Sequence, residues 1–295
     1  MSIESFKLRA SDFRFVGRDL ARPECIIAEK DGTLWVSDER SALMCIAPDG
    51  AQTRIGSIGG LPNGVALARD GSFAIANIGD GRLYRLQRDG RHEVVLDSLD
   101  GKPLGAVNFV YIDERDRLWV TVSTVTEPRS QAVHNLIADG YIVLIDQRGP
   151  RRVAEGLCFT NEVRIDAAGH FLYIAETAPG RVSRQPLAAD GSLGARTSFG
   201  PDPLFPGAKI DGITFDAAGN LWVTEITRNA LLVITPAGHA HTVFEDPGGT
   251  TLLVPTSLTF GGRDLKTAYV GSLKADRLAS FVAPIAGAPM RHWQR

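Results

Sequence analysis

The chain repeats one phrase, most clearly as NEVRIDAAGHFLYIAET at residues 161–177 and DGITFDAAGNLWVTEI at residues 211–226. Each copy opens with a polar residue and continues through an apolar run, an Asp-Ala-Ala-Gly turn and a second run rich in β-branched and aromatic residues. Alignment on this phrase finds further copies that begin at Glu24, Asn63, Asn108 and, in degenerate form, Ser257. The copies recur at intervals of about 40 to 50 residues, which is the period of propeller blades.

Each repeat predicts a series of β-hairpins. The two apolar runs are followed by a third, such as RLYRL from Arg82 or YIVLI from Tyr141, and by another Gly-containing turn. No stretch sustains the periodicity of about 3.6 residues that indicates a long helix. The sequence therefore predicts an all-β fold, a six-bladed β-propeller with four-stranded antiparallel blades around a central channel, as a single domain over residues 1–295. Residues 1–23, and in particular Phe13–Gly17, should add an outer strand that closes the last blade, because an open ring would expose strand edges.

Composition excludes several classes of function. The 295 residues are 44% hydrophobic and 22% charged, with a formal net charge of -2, so no basic excess predicts nucleic-acid binding. The first residues contain no apolar core followed by a cleavage site, and no apolar run approaches the roughly 20 residues that span a bilayer. Three widely spaced cysteines fit neither a disulfide framework nor a zinc site. We therefore expect a cytoplasmic protein without nucleic-acid or membrane partners.

The residue that opens each repeat is predicted to lie at the mouth of the channel, because the first strand of a propeller blade is the innermost. The second strand runs back antiparallel and returns to the same mouth. Residues from both positions should therefore converge there: Glu24, Asn63, Asn108, Asn161, Asp211 and Ser257 from the first strands, and Asp38, Glu176 and Glu225 from the second.

Carboxylates that face one concavity repel one another, and no Lys or Arg stands at the aligned positions. A bound cation would offset this repulsion. Carboxylates and amide carbonyls are hard oxygen donors, which favour Ca²⁺, Mg²⁺ or Mn²⁺, while Zn²⁺ is also compatible with carboxylates. For Asp38, Glu176 and Glu225 a second interpretation is open, in which each carboxylate ends its strand by accepting hydrogen bonds from nearby backbone N–H groups. The pattern predicts one divalent cation at the mouth.

These residues resemble the family of regucalcin, gluconolactonase and the luciferin-regenerating enzyme, whose members are six-bladed propellers with one divalent metal at the channel. The resemblance extends over nearly the whole chain and is strongest from DGYIVLID through FTNEVRIDAAG to IDGITFDAAGNLWVTE. It implies that Glu24, Asn161 and Asp211 hold the metal. Asp211 would also act as the general base, and Asn108 would contact the substrate.

Two departures from the family pattern bear on the substrate. The R-x-N-D stretch of the sugar-lactone members reads A-V-N-F here, with Ala106 in place of the Arg and Phe109 in place of the Asp. Both changes remove polarity, so we expect Phe109 to offer an apolar wall to a lactone less hydroxylated than gluconolactone. By the resemblance, Glu127 in TVTEPR is a further candidate for substrate binding. His134 lies in a long insertion expected to cap the mouth, and an ordinary loop histidine is the alternative interpretation.

The predicted function is metal-dependent hydrolysis of a small lactone, with Ca²⁺ first among the candidate metals. With the metal bound, the ring carbonyl would be polarised, and Asp211 or the metal would activate the attacking water. Two alternatives remain, because fold alone does not fix function. One is a propeller that binds Ca²⁺ or a small ligand without turnover, and the other is a propeller that serves as an interaction platform. Metal-dependent turnover would distinguish the enzyme from both.

Overall fold

The protein is described by a computed structural model over residues 3–294, in which six four-stranded antiparallel sheets form the blades of a β-propeller. The fold predicted from the repeats is confirmed. Within the described residues, helix is confined to one short α-helix and three 3₁₀ turns, and no helix is long and apolar enough to cross a membrane. Residues 1, 2 and 295, at the ends of the predicted domain, lie outside the described residues.

The first half of the chain forms three blades in sequence. It begins with strand β1 (Arg14–Val16). The first blade consists of β2 (Ile26–Ala28), β3 (Leu34–Ser37), β4 (Leu43–Ile46) and β5 (Gln52–Ile55). The second consists of β6 (Pro62–Leu67), β7 (Phe73–Asn77), β8 (Arg82–Leu86) and β9 (His92–Leu96). A hairpin of β10 (Ser98–Leu99) and β11 (Lys102–Pro103) leads to the third blade, which consists of β12 (Val107–Ile112), β13 (Leu118–Val122), β14 (Gly140–Asp146) and β15 (Gly149–Leu157).

The second half completes the ring. The fourth blade consists of β16 (Thr160–Ile165), β17 (Phe171–Glu176), β18 (Arg181–Pro186) and β19 (Thr197–Ser198). The fifth consists of β20 (Ile210–Phe215), β21 (Leu221–Glu225), β22 (Ala230–Ile234) and β23 (Ala240–Glu245). The sixth consists of β24 (Pro255–Gly261), β25 (Thr267–Ser272) and β26 (Leu278–Val282), with β1 as its outermost strand. β1 pairs antiparallel with β26, with Phe15 opposite Ala279, so a strand from the start of the chain completes the last sheet.

Short turns rich in Asp and Gly make each blade a meander. In the second blade, Asp70 Oδ1 accepts a hydrogen bond from the backbone N–H of Ser72 at 3.0 Å. Gly71, between them, has a φ of 88°, a conformation that favours glycine. The turn chemistry therefore reverses the chain between the first and second strands of the blade.

The repeated Asp and Trp form one structural unit of the core. Trp119 and Trp222, on the second strands of the third and fifth blades, are fully buried, and a buried indole N–H requires an acceptor. The acid that opens the preceding turn supplies it. Trp119 Nε1 donates to Asp113 Oδ2 at 2.9 Å, and Trp222 Nε1 donates to Asp216 Oδ2 at 3.1 Å.

The two ends of the channel differ. The inner strands β2, β6, β12, β16, β20 and β24 begin at one end, which we call the mouth. At the opposite end, the C-terminal segment crosses the channel, where the side-chain nitrogens His292 Nε2 and Trp293 Nε1 each lie 2.8 Å from Ala28 O. The C-terminal segment therefore covers the far end of the channel, and the polar residues that open the repeats lie at the mouth.

Candidate active site

A β-bulge near the start of the inner strands positions the mouth residues. In the fourth blade, Asn161 and Glu162 lie between the paired residues Thr160 and Val163, whereas β17 has a single residue in the corresponding interval. The second, fifth and sixth blades have the same irregularity. A bulge re-aims side chains, and here two consecutive polar residues, Asn161 and Glu162, are both buried.

The opening residues occupy equivalent positions and are all buried. In the sixth blade this position belongs to Thr256 and not to Ser257, because Pro255 pairs with Ser272 as Thr160 of the fourth blade pairs with the last residue of β17. The degenerate sequence of the sixth repeat concealed this shift of one residue. The six opening residues are Glu24, Asn63, Asn108, Asn161, Asp211 and Thr256.

Glu24 belongs to a closed ring of polar contacts with Arg22 and Asn63. Glu24 Oε2 lies 2.9 Å from Arg22 Nη1. Arg22 Nη2 donates to Asn63 Oδ1 at 2.7 Å, and Asn63 Nδ2 donates to Glu24 Oε1 at 2.7 Å. The side chains of Arg22 and Glu24 are 16% and 7% exposed, so this ring joins the first two blades with little contact with solvent.

Asn161 and Asp211 meet at the mouth between the fourth and fifth blades. The Asn161 side chain hydrogen-bonds to the Asp211 carboxylate, and Asn161 Nδ2 also donates to Thr177 Oγ1 at 3.2 Å. Asn161 Oδ1 is buried and has no hydrogen-bond partner among residues 3–294. A buried amide oxygen in this state is available to a cation or to a water molecule.

Burial and mutual repulsion raise the pKa values of the carboxyl groups at the mouth. For Asp211, burial is the largest cause and the charges of Glu24 and Glu162 add to it, so its pKa lies well above the ordinary value. Burial raises the pKa of Glu24 to about 7, against the opposing charge of Arg22. Burial also raises the pKa of Glu162, which Arg164 opposes. Such clusters of perturbed carboxyl groups are typical of functional sites.

An ion pair forms the layer of the channel beneath the mouth. Arg164 Nη2 lies 2.9 Å from Glu162 Oε2, and both side chains are buried. The Arg164 guanidinium also lies over the ring of Phe109, with Cζ 4.8 Å from the ring centroid. Phe109 packs against Gly64, where any side chain would collide with it. Phe109 is thus part of the channel wall and faces Arg164.

The acids that end the second strands bind backbone N–H groups. Glu225 accepts three such bonds, each 2.9 Å long, from Lys209, Thr227 and Arg228. The local interpretation of these acids is therefore confirmed, since Asp38 and Glu176 are anchored in the same manner. Asp38 accepts from the backbone N–H groups of Ala21, at Oδ2 and 3.0 Å, and of Arg40, at Oδ1 and 3.0 Å. Glu176 Oε2 accepts from the backbone N–H of Cys158 at 3.1 Å.

The insertion between β13 and β14 packs on the mouth end of the fourth blade. It contains helix α1 (Ser130–His134), whose Ala132 is fully buried against Phe159, the residue that precedes β16. Glu127 and His134 are exposed in this insertion. Within residues 3–294, neither side chain hydrogen-bonds to an opening residue.

Two further polar groups adjoin Glu24. Asn63 Nδ2 lies 2.9 Å from Asn108 O and 3.3 Å from Asn108 Oδ1, which connects the third blade to the ring of contacts around Glu24. Arg129, directly before α1, lowers the pKa of Glu24 through its charge. The insertion therefore contributes a positive charge to the mouth.

The donors at the mouth fit a hard divalent cation. Asn161 Oδ1 is a buried oxygen without a hydrogen-bond partner in the described part of the chain, and Glu24, whose Oε2 is ion-paired with Arg22, and Asp211 add two carboxylates. Carboxylate and amide oxygens suit Ca²⁺, Mg²⁺ or Mn²⁺. Residues 3–294 contain no cluster of three or more His, Cys, Asp and Glu side chains that could hold a metal. An amide oxygen such as that of Asn161 is therefore needed to complete a three-ligand set.

The repeat pattern did not identify three charged residues of the site, which are Arg22, Glu162 and Arg164. Arg22 stands two residues before the opening acid Glu24, and its guanidinium forms an ion pair with the Glu24 carboxylate. Glu162 follows the opening Asn161, and strict alternation along a strand would have turned it to the other face. An arginine just before an opening acid, and a charged residue directly after an opening amide, are the signals that would have identified them.

The comparisons with known proteins agree with this architecture. The chain is 26% identical over 225 residues to 6-deoxy-6-sulfogluconolactonase of Pseudomonas putida, which covers 75% of this chain and 72% of that protein. Its structure is similar to a gluconolactonase of Xanthomonas campestris, with a TM-score of 0.75 and 19% identity over 94% of this chain and 91% of that chain. It is also similar to the calcium-binding protein regucalcin of Agrobacterium tumefaciens, with a TM-score of 0.74 and 18% identity over 94% and 96% of the two chains. Residues 22–274 match the model of the SMP-30/Gluconolactonase/LRE-like region, and the chain therefore belongs to this family.

Proposed function

We propose that the chain is a metal-dependent lactonase that opens the ring of a small lactone at the channel mouth. The observation that carries this proposal is the pair of buried carboxylates, Glu24 and Asp211, which share the mouth with the unpartnered oxygen of Asn161. Family membership and the similarity to a sulfogluconolactonase support lactone hydrolysis as the class of reaction.

One divalent cation would be held by Glu24, Asn161 and Asp211, with water molecules as the remaining ligands. Ca²⁺ is the first candidate, ahead of Mg²⁺, Mn²⁺ and Zn²⁺, and regucalcin, a structural neighbour, is a calcium-binding protein. When bound there, the cation supplies a Lewis acid that polarises the ring carbonyl and offsets the charge of the oxyanion.

Asp211 is assigned the proton transfer. Its carboxylate accepts a proton from water as the water oxygen bonds to the carbonyl carbon, and it returns that proton to the ring oxygen as the ring C–O bond breaks. The product is the open-chain hydroxy acid. General-base removal typically costs about 10²–10⁴ in rate, so this role predicts a large effect of substitution.

The other predicted residues are assigned to the substrate. Asn108, an opening residue beside Asn63, would position the lactone. Phe109 would contribute an apolar surface from the channel wall, and Glu127 a polar contact from the insertion. Because Ala106 and Phe109 replace polar residues of the sugar-lactone members, we expect a less hydroxylated lactone than gluconolactone to be preferred.

A screen of lactones tests this proposal. The purified protein, loaded in turn with each candidate metal, is assayed with a pH indicator against sugar lactones, aliphatic γ- and δ-lactones and unsaturated lactones derived from aromatic compounds. Acid release that stops on chelation and returns with one metal is the expected result. Metal binding without turnover of any lactone would favour a binding propeller, and the absence of both would favour an interaction platform.

A further inference from the structure

Arg22 enters the channel mouth from a strained backbone. Its φ is 53°, in the left-handed region that non-glycine residues rarely adopt, and the N–H of Glu24 donates to Arg22 O at 2.8 Å. From this position the guanidinium reaches both Glu24 and Asn63. Strain at a partly buried charged residue that points into a candidate site indicates a functional constraint on that residue.

The buried charges at the mouth do not balance. Glu162 pairs with Arg164 at 2.9 Å, and Glu24 pairs with Arg22 at 2.9 Å. Among residues 3–294, Asp211 forms no ion pair, and its carboxylate hydrogen-bonds to the neutral amide of Asn161. When all five groups are ionised, they therefore leave one negative charge uncompensated. A divalent cation would reverse the sign of that charge if Arg22 kept its place.

We propose that Arg22 is an internal counter-cation that competes with a divalent cation for the Glu24 carboxylate and so sets the metal affinity of the mouth. This inference rests on the metal site of the proposed function. Arg22 Nη1 already lies 2.9 Å from Glu24 Oε2. A cation bound to the same carboxylate would be close to the guanidinium, and two positive charges that are close together and shielded from water repel strongly.

Metal binding then requires the guanidinium to move away from Glu24. Arg22 also donates to neutral oxygens on the second blade, Asn63 Oδ1 at 2.7 Å and Pro62 O at 3.3 Å. Neither oxygen is among the proposed metal ligands. Arg22 can therefore keep hydrogen-bond partners at the edge of the mouth after it releases the carboxylate.

Direct measurement of Mn²⁺ binding tests this role without reference to activity. The EPR signal of free Mn²⁺ gives its dissociation constant for the wild-type protein and for Arg22→Met, and competition gives the value for Ca²⁺. Loss of the competing charge should tighten Mn²⁺ binding by about tenfold or more. Arg22→Gln, which removes the charge but can still donate to Asn63, should also bind Mn²⁺ more tightly than the wild-type protein. It replaces Arg22→Met if that variant does not fold.

Arg151→Met is the matched control. Like Arg22, Arg151 forms an ion pair, with Nη1 2.7 Å and Nη2 2.8 Å from the carboxylate oxygens of Asp146, but this pair belongs to the outer part of the third blade. Its removal should leave the Mn²⁺ affinity unchanged. An equal gain in affinity for this control would show a general charge effect and would overturn the specific role of Arg22.

The remaining outcomes separate this inference from the proposed function. Equal Mn²⁺ affinities for the wild-type protein and both Arg22 variants would overturn the competition and leave the metal site standing. If neither the wild-type protein nor either Arg22 variant binds Mn²⁺, the proposed competition is also overturned. Tighter binding by Arg22→Met without turnover of any lactone would reject the proposed reaction and retain the role of Arg22.

Discussion

The carboxylates of Glu24 and Asp211 repel each other across the channel mouth. After burial, the charge of Glu24 is the largest cause that raises the pKa of Asp211. The two residues belong to the first and fifth blades, so only closure of the ring brings them together. Each is therefore poorly stabilised as an anion until a proton or a cation offsets its charge.

Glu24→Gln should lower the metal content of the protein without loss of the fold. The amide keeps the size of the side chain and an oxygen that can accept from Asn63, but it removes one of the two charges that offset a divalent cation. Elemental analysis after dialysis against Ca²⁺ should find clearly less metal than in the wild-type protein, at an unchanged circular dichroism spectrum. Equal metal content would exclude Glu24 as a ligand.

The metal-free protein should become less stable as the pH rises from about 4.5 to about 7. Burial raises the pKa of Glu24 from 4.5 to about 7, so in this interval the folded protein holds a proton that the unfolded chain has lost. The titration of Glu24 should lower the free energy of unfolding by on the order of 1–3 kcal/mol over this interval.

Denaturant titrations in the presence of a chelator measure this fall. Glu24→Gln is the control, since it removes the titrating group and its repulsion of Asp211, and its fall with pH should be smaller. Identical pH profiles for the two proteins would contradict the assigned cause. Added Ca²⁺ should reverse the trend for the wild-type protein, because deprotonated ligands bind the cation.

Glu225→Ala should destabilise the fold and leave the metal content unchanged. The substitution removes the buried acceptor of three backbone N–H bonds, and a hydrogen bond to a charged group contributes roughly 1.5–3 kcal/mol. Glu225→Gln, which retains one oxygen acceptor, should lose less. The measurements are chemical denaturation and elemental analysis, and loss of metal at full stability would instead place Glu225 in the site.

Asn108→Ala should act on the substrate and not on the metal. Asn108 Oδ1 lies at the mouth beside Asn63 but is not among the proposed ligands. If it positions the lactone, its removal should lower kcat/KM by up to about 100-fold, the scale of a positional error near the reacting atoms. Steady-state kinetics on the preferred lactone and elemental analysis check both parts. Unchanged kcat/KM would remove Asn108 from the site.

The sequence was sufficient to predict the blades because each repeat carries its own folding signals. The Asp and Trp of one repeat form a hydrogen bond with each other, as Asp216 and Trp222 do. The repeat can therefore be recognised in the sequence without knowledge of contacts between blades. The position of Asn161 and Asp211 at the mouth followed from one rule, that the first strand of a blade is innermost, but their burial did not, because the rule leaves the mouth open to water. The sixth repeat has weaker signals, and there the opening position shifted from Ser257 to Thr256.

The rest of the site depends on local geometry that residue types do not reveal. A β-bulge turns the side chain of Glu162 into the channel beside Asn161, and no residue type in the sequence indicates that bulge. The left-handed backbone at Arg22 turns its side chain toward Glu24. For Glu225, both interpretations require an acid at the end of a strand, and only the path of the adjoining loops decides that its partners are backbone N–H groups.

The rate of lactone hydrolysis by Asp211→Asn at saturating metal is the most direct test of the proposed reaction. Asparagine can still coordinate a cation through its oxygen, but it cannot accept a proton from water. We expect turnover to fall by about 10²–10⁴-fold, the loss that is typical when a general base is removed. A folded Asp211→Asn protein that hydrolyses the lactone at the wild-type rate would contradict the assignment of Asp211 and with it the proposed mechanism.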